Sequence, residues 1–197
     1  MAAISVFIAE SVSSADFYDG RTDGRAAQEV VRLHQVRSDY RLVLDRKHLK
    51  KAVREAADGD FGVFHLSCHG DKDGVRLTDG EDLDWAELAG ILKPVAGEGR
   101  LLVMASCSGG YAGLGAALAE AGAVFGYVFG STDKTGVRFT HSALAWSVLY
   151  NRLIEGAFTK KGVQATIDRI NGIVAGDFVY RRWNGKRYLH YPSKPRG

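Results

Sequence analysis

Two side chains in this sequence have the types and the placing for nucleophilic chemistry. Phe61-Gly-Val-Phe-His-Leu-Ser-Cys68 reads as a strand that ends at His69-Gly70, and Arg100-Leu-Leu-Val-Met-Ala-Ser106 reads as another that runs into Cys107-Ser-Gly-Gly110. In parallel α/β sheets, reacting groups collect at the carboxyl ends of the strands. A free Cys and a His at neighbouring strand ends are the minimum for catalysis by a thiol. Cys107 falls at a strand-to-helix transition, where a helix N-terminus favours thiolate. Gly109 and Gly110 let the backbone approach a substrate and point N–H groups at a developing oxyanion, and Gly70 offers one more. Cys68 competes for the role of nucleophile. Consecutive strand residues face opposite sides of a sheet, so Cys68 is predicted to turn away from His69 as a small buried apolar group.

The rest of the chain supplies a scaffold for those strand ends. Ile4–Ala9 and Tyr40–Asp45 read as strands, and Ala123–Phe129 as a fifth. Apolar residues at helical spacing mark helices over 26–35, 47–57, 113–122, 139–153 and 163–173. Ser11 to Gly24 reads as a polar loop, and Gly74–Gly80 as a hairpin-like insert with turn residues at both ends. Asp84 is placed to cap a helix that stops before Pro94. Phe178–Trp183 and Lys186–Tyr191, joined by Asn184-Gly185, read as a C-terminal β-hairpin. Alternating strands and helices predict a single α/β domain over 1–197, with a mostly parallel central sheet covered on both faces.

With those elements in place, the strand-His-Gly-Asp of FHLSCHGD, followed some forty residues on by the strand-Cys-Ser-Gly-Gly of LLVMASCSGG, resembles the caspase-like cysteine peptidases, and among them the bacterial CHAT-type members. The similarity extends through LTDGEDLDWAEL, GAVFGYVFGSTDKT and the helix to Leu153, so it covers about residues 60–157 well and the rest loosely. The resemblance implies a caspase-like three-layer α/β/α sandwich that hydrolyses peptide bonds of a protein or peptide substrate. Cys107 would form an acyl-thioester and His69 would protonate the leaving amine. Backbone N–H groups of Gly70 and Cys107 would hold the oxyanion. No cofactor or metal is implied, and no third catalytic side chain is required; Asp71 is read as capping its own turn rather than steering His69. Ala105, two residues before the nucleophile, would line the pocket for the residue on the acyl side of the scissile bond (P1), where caspases carry Gln and metacaspases Asp. Asp133, in the loop after the fifth strand, is the candidate to pair with a basic P1 side chain, although a solvated turn explains it better. Fifteen residues separate Cys107 from Ala123 and one helix fills them, which leaves no room for a cleavable linker. A single-chain enzyme is expected, switched on by an activating protein, a small-molecule signal or oligomerisation, and serving bacterial signalling or defence against phage.

Composition sets the outer limits. The 197 residues are 46% hydrophobic and 25% charged, enough for one well-filled core, and two Cys are too few for a disulfide scaffold or a four-Cys zinc site. No apolar run approaches the ~20 residues of a membrane helix, and MAAISVFIAES lacks a basic leader, so a cytoplasmic protein with free thiols and no membrane partner is expected. The net charge of +3 hides a split: residues 1–177 carry −3, and the last 20 residues carry six basic groups and no acid. Such a tail can hold nucleic acid or an acidic partner, and it equally suits a solvated strand edge protected by positive charge. His65 is read as a hydrogen-bonded core histidine, about 13 Å from His69 along an extended strand. A catalytically inactive adaptor or ligand-binding module on the same fold is the alternative function.

Overall fold

The computed structural model describes residues 4–133, 136–156 and 159–191. Among them, β1 (Val6–Ser11), β2 (Ser38–Leu42), β3 (Val63–Gly70), β6 (Gly97–Ala105) and β7 (Phe125–Ser131) lie parallel in the order β2-β1-β3-β6-β7. Two antiparallel strands, β8 (Phe178–Trp183) and β9 (Tyr188–Tyr191), extend the β7 edge. A short side sheet of β4 (Gly74–Arg76) and β5 (Asp82–Asp84) branches from the end of β3, with His69 opposite Arg76. The result is a mixed, mostly parallel α/β sheet.

Helices cover both faces, because the parallel strands are apolar on both. On one side α3 (Arg46–Asp58), α4 (Trp85–Leu92) and α5 (Ala112–Glu120) pack on Phe7, Phe64, Leu66, Leu102 and Met104. On the other side α2 (Asp23–Leu33), α6 (Phe139–Ile154) and α7 (Lys160–Ile173) pack on Val6, Ile8, Val103 and Phe129. Each fully buried Leu, Val or Phe contributes about 1.5–3 kcal/mol of hydrophobic stabilisation. Asp84 caps α4 in a reciprocal box with Glu87, as its position predicts. His65 is fully buried and its Nδ1 meets the Tyr150 hydroxyl at 2.7 Å, so this first histidine of β3 is a core residue joined to α6. No helix among the described residues is long and apolar enough to cross a membrane.

Several boundaries differ from the sequence expectation, each for a local reason. The second strand ends at Leu42 rather than Asp45, because Asp45 turns out to cap α3 by accepting the His48 N–H at 2.8 Å. The fifth strand starts at Phe125 and runs on to Ser131. The insert does not close at Gly80. It turns between Leu77 and Glu81, and β5 follows, pinned across the pair by Arg76 and Asp82. Most consequential is the stretch read as a loop from Ser11 to Gly24. It holds a one-turn helix, α1 (Ser14–Tyr18), and α2 begins already at Asp23. Ser13 starts α1 by accepting the Asp16 N–H on its hydroxyl, the local bond that Ser makes most readily before a helix.

Candidate functional site

β3 and β6 are adjacent parallel strands, so their carboxyl ends deliver His69 and the segment after Ala105 to the same edge of the sheet. His69 and Cys107 line one cavity of about 50 Å3, together with Ala105, Asp23, Ser67 and Ser142. Gly70 stands directly against the Cys107 backbone. A Cβ there would lie 3.1 Å from the Cys107 carbonyl oxygen and 2.9 Å from that of Gly74, which is why no larger residue fits. The Val137 N–H donates to Cys107 Sγ at 3.4 Å and fixes the direction of the sulfur. Ala105 lines the same cavity. Asp133 is not among its lining residues; its N–H donates to Ser131 Oγ, and Ser131 and Val137 form that part of the wall. Lys134 lies outside the described residues.

His69 has a partner that the sequence did not reveal. Its Nε2 lies 2.7 Å from Asp16 Oδ2, and Phe139 presents an edge-to-face ring at 6.0 Å. Asp16 is largely buried, its second oxygen accepts from Arg21, and Ser13 Oγ donates to the first at 2.5 Å. Burial works to raise the Asp16 pKa, but Ser13, His69 and Arg21 outweigh it and hold the carboxyl below its ordinary value. An ionised Asp16 accepts the Nε2 proton and leaves Nδ1 as the nitrogen free to exchange one. Asp71, the sequence candidate for steering His69, instead accepts the N–H groups of Asp73 and Gly74 within its own turn. The missed signal was Ser13-Ser-Ala-Asp16, a Ser followed three residues on by an acid, which marks a helix start.

The Cys107 turn also corrects two expectations. α5 begins only at Ala112, so Cys107 stands outside the first turn, where a helix dipole acts. The N–H groups of Gly109 and Gly110 do not face the cavity as free donors. They bond to Ser106 O at 3.1 Å and Ser131 O at 2.8 Å. Glycine is needed here for close approach, since a Cβ on Gly109 would sit 2.7 Å from Met104 Cβ and one on Gly130 would sit 2.5 Å from the Gly109 carbonyl carbon. Ser108 takes φ +62, an uncommon conformation for a non-glycine residue and a common one where a turn serves a site. Gly70 packs against the Cys107 backbone and lines the neighbouring groove with His69. Cys68 is 7% exposed and burial pushes its thiol pKa well up, which makes it a poor nucleophile although it touches the same cavity.

Below the cavity lies a second feature with no sequence warning: a buried pair of carboxyls. Glu10, the penultimate residue of β1, accepts the N–H groups of Gly24 and Arg25 and the Tyr40 hydroxyl. Asp23, at the start of α2, accepts the hydroxyls of Ser67 and Ser142, and Trp146 Nε1 donates to the latter at 2.8 Å. Burial pushes the Glu10 pKa up to about 7, with the Asp23 charge adding to it despite those donors, and burial raises Asp23 as well. An acid raised in the folded state stabilises fully below its unfolded pKa and loses that contribution as pH rises through the folded value. Wild-type stability is therefore expected to fall by about 1–2 kcal/mol between pH 5 and pH 7 relative to Glu10→Gln. Urea unfolding of both proteins at the two pH values checks this; a parallel pH dependence would mean that Glu10 titrates normally.

No protein-family model and no curated protein matches this chain.

Proposed function

We propose that the chain is a caspase-like cysteine endopeptidase, with Cys107 as nucleophile and His69 as its acid and base. The observation that carries the reading is that a half-buried thiol and a carboxylate-held imidazole line one cavity at neighbouring strand ends. His69 takes the thiol proton as Cys107 Sγ attacks the scissile carbonyl carbon. The oxyanion draws on the Gly70 and Cys107 N–H groups. His69 then gives its proton to the leaving amine, and the C–N bond breaks to leave an acyl-thioester. Water, deprotonated by His69, attacks that ester, and Cys107 leaves as the thiol once the proton returns.

The same reading makes the protein a cytosolic component of a bacterial signalling or anti-phage system, acting on a protein or peptide and switched on by a protein, small-molecule signal or oligomerisation. It needs no cofactor. Thiol alkylation with peptide mapping tests the core of it. The folded protein is expected to be modified at Cys107 well before Cys68, and Cys107→Ala to lose both the label and peptide cleavage. Cleavage that survives in Cys107→Ala would end the proposal.

A further inference from the structure

The cavity next to Cys107 has a chemistry that the hydrolytic step does not use. Its mouth carries the exposed His69 and half-buried Cys107, whereas Asp23, Ser67 and Ser142 on its lining are at most 7% exposed, so the acid lies at the inner end. Trp146, Phe139, Phe178 and Val137 make the rest of the wall largely apolar. The acid has no cationic partner: Asp23 bonds to two hydroxyls and to Glu10, and Glu10 in turn accepts from two backbone amides, the Ser67 hydroxyl and a phenol. The nearest cation on α2, Arg25, is turned away over the Tyr40 ring and toward Glu29. Ser106 Oγ, on the same cavity and 7% exposed, is a buried hydroxyl with no hydrogen-bond partner among the described residues. Asp23, a buried acid with no cation beside it, and the unpartnered Ser106 hydroxyl both line one narrow slot beside the nucleophile, with Glu10 behind Asp23, and form a site suited to a positively charged group.

We infer that this slot is the P1 pocket of the peptidase proposed above, and that it takes lysine, with the ammonium at Asp23. The inference rests on that peptidase reading. Size selects between the two basic side chains. The cavity is small, about 50 Å3. Lysine carries four heavy atoms beyond Cβ, Cγ to Nζ, in a single file, whereas arginine carries six and ends in a planar fork. An ammonium also suits the inner end, where hydroxyl and carboxyl oxygens converge from Asp23, Ser67 and Ser142 and no flat carboxylate edge stands free for bidentate pairing. Ala105 at the strand end is small enough to leave the entrance open.

The test is a set of fluorogenic peptides identical except at P1, carrying Lys, Arg, Gln, Leu or Asp, turned over by wild type and by Asp23→Asn. Wild type is expected to prefer Lys over Gln and Leu by about 30-fold or more in kcat/KM, the effect of one buried charge pairing, with Arg between them. Asp23→Asn is expected to lose most of that preference while Cys107 is still alkylated ahead of Cys68. Should Asp23→Asn fail to fold, Glu10→Gln removes the companion acid and is expected to reduce the preference in the same direction. Best turnover after Leu or Asp overturns the lysine pocket and leaves the peptidase standing. An undiminished Lys preference in both variants also overturns it. Cleavage of no member of the set, together with alkylation of Cys107 no faster than that of Cys68, removes the peptidase reading, and the pocket falls with it.

Discussion

Asp16→Asn is expected to lower kcat by about 10- to 1,000-fold while KM changes little. Asp16 reaches His69 through Nε2 and, with His69, Gly70 and Gly74, lines the separate open groove of about 680 Å3 rather than the cavity that holds Cys107. Its hydrogen bond to Nε2 makes it a positioning residue: it fixes the ring and keeps the proton on Nε2. An Asn there can turn its amide toward the ring and favour the opposite tautomer, which puts the proton on the nitrogen that must accept one from Cys107. It also withdraws the charge that steadies a protonated imidazole. Removing the comparable carboxylate from a buried Ser-His-Asp triad costs about 10,000-fold. His69 is 44% exposed at its side chain, so water screens part of the interaction and a smaller loss is expected. A purely structural role for Asp16 gives a different pattern. Ser13→Ala disturbs the start of α1 by about 1 kcal/mol yet leaves the carboxylate on His69, and it is expected to change kcat only a few-fold. Equal losses in the two variants, or full kcat in Asp16→Asn, would show that Asp16 merely holds the helix.

Asp16 also marks where sequence reasoning stopped. The two strand ends were legible because a β-strand leaves little choice: an apolar run has to be buried, and the chain must emerge at the sheet edge where the run ends. His69 and Cys107 are the first residues to emerge there, past the buried Ser67, Cys68 and Ser106, and parallel neighbours put them together. Asp16 sits in a five-residue helix too short to show periodicity, and its partner is 53 residues away. Only the fold of β1 back beside β3 brings them within reach. Glu10 misled for the opposite reason. An acid after Ile8-Ala9 looks like the exit of a strand, yet β1 is buried through Ser11, because α2 lies over its end and offers backbone N–H groups to the carboxylate. The acid chemistry around the cavity comes from such buried end-of-strand and start-of-helix positions, which composition counts as surface.

The basic C-terminal segment deserves the same correction, and Arg181 supplies the sharpest test. Six cations read as one solvated group, with Lys194 and Arg196 outside the described residues; Arg181 is not like the others. It is 9% exposed on β8, and its Nε and Nη2 both donate to the Gly110 carbonyl, at 3.0 and 2.9 Å. Burial lowers its pKa from the usual arginine value, so the cation is held there at a cost in desolvation. Arg181→Met keeps the stem and removes that cost, but it strands a buried carbonyl that has lost a charged double donor. The second effect is the larger, because a net charged hydrogen bond contributes about 1.5–3 kcal/mol and already includes the desolvation of the donor. Arg181→Met is therefore expected to lose about 2–3 kcal/mol and to melt several degrees lower. The consequence for the site is specific. Gly110 closes the turn that begins at Ser106, and its N–H is tied to Ser131 while its carbonyl is tied to Arg181. Releasing one tie lets the Cys107 turn move against β7, so peptide turnover is expected to fall by about tenfold or more, since small misplacements of a reacting group carry large rate penalties. Lys186→Met removes the same charge from an exposed position and is expected to stay within about 0.5 kcal/mol of wild type with normal turnover. If the two variants behave alike, the tail acts through its charge; if only Arg181→Met suffers, one residue of that tail is part of the frame that holds the nucleophile.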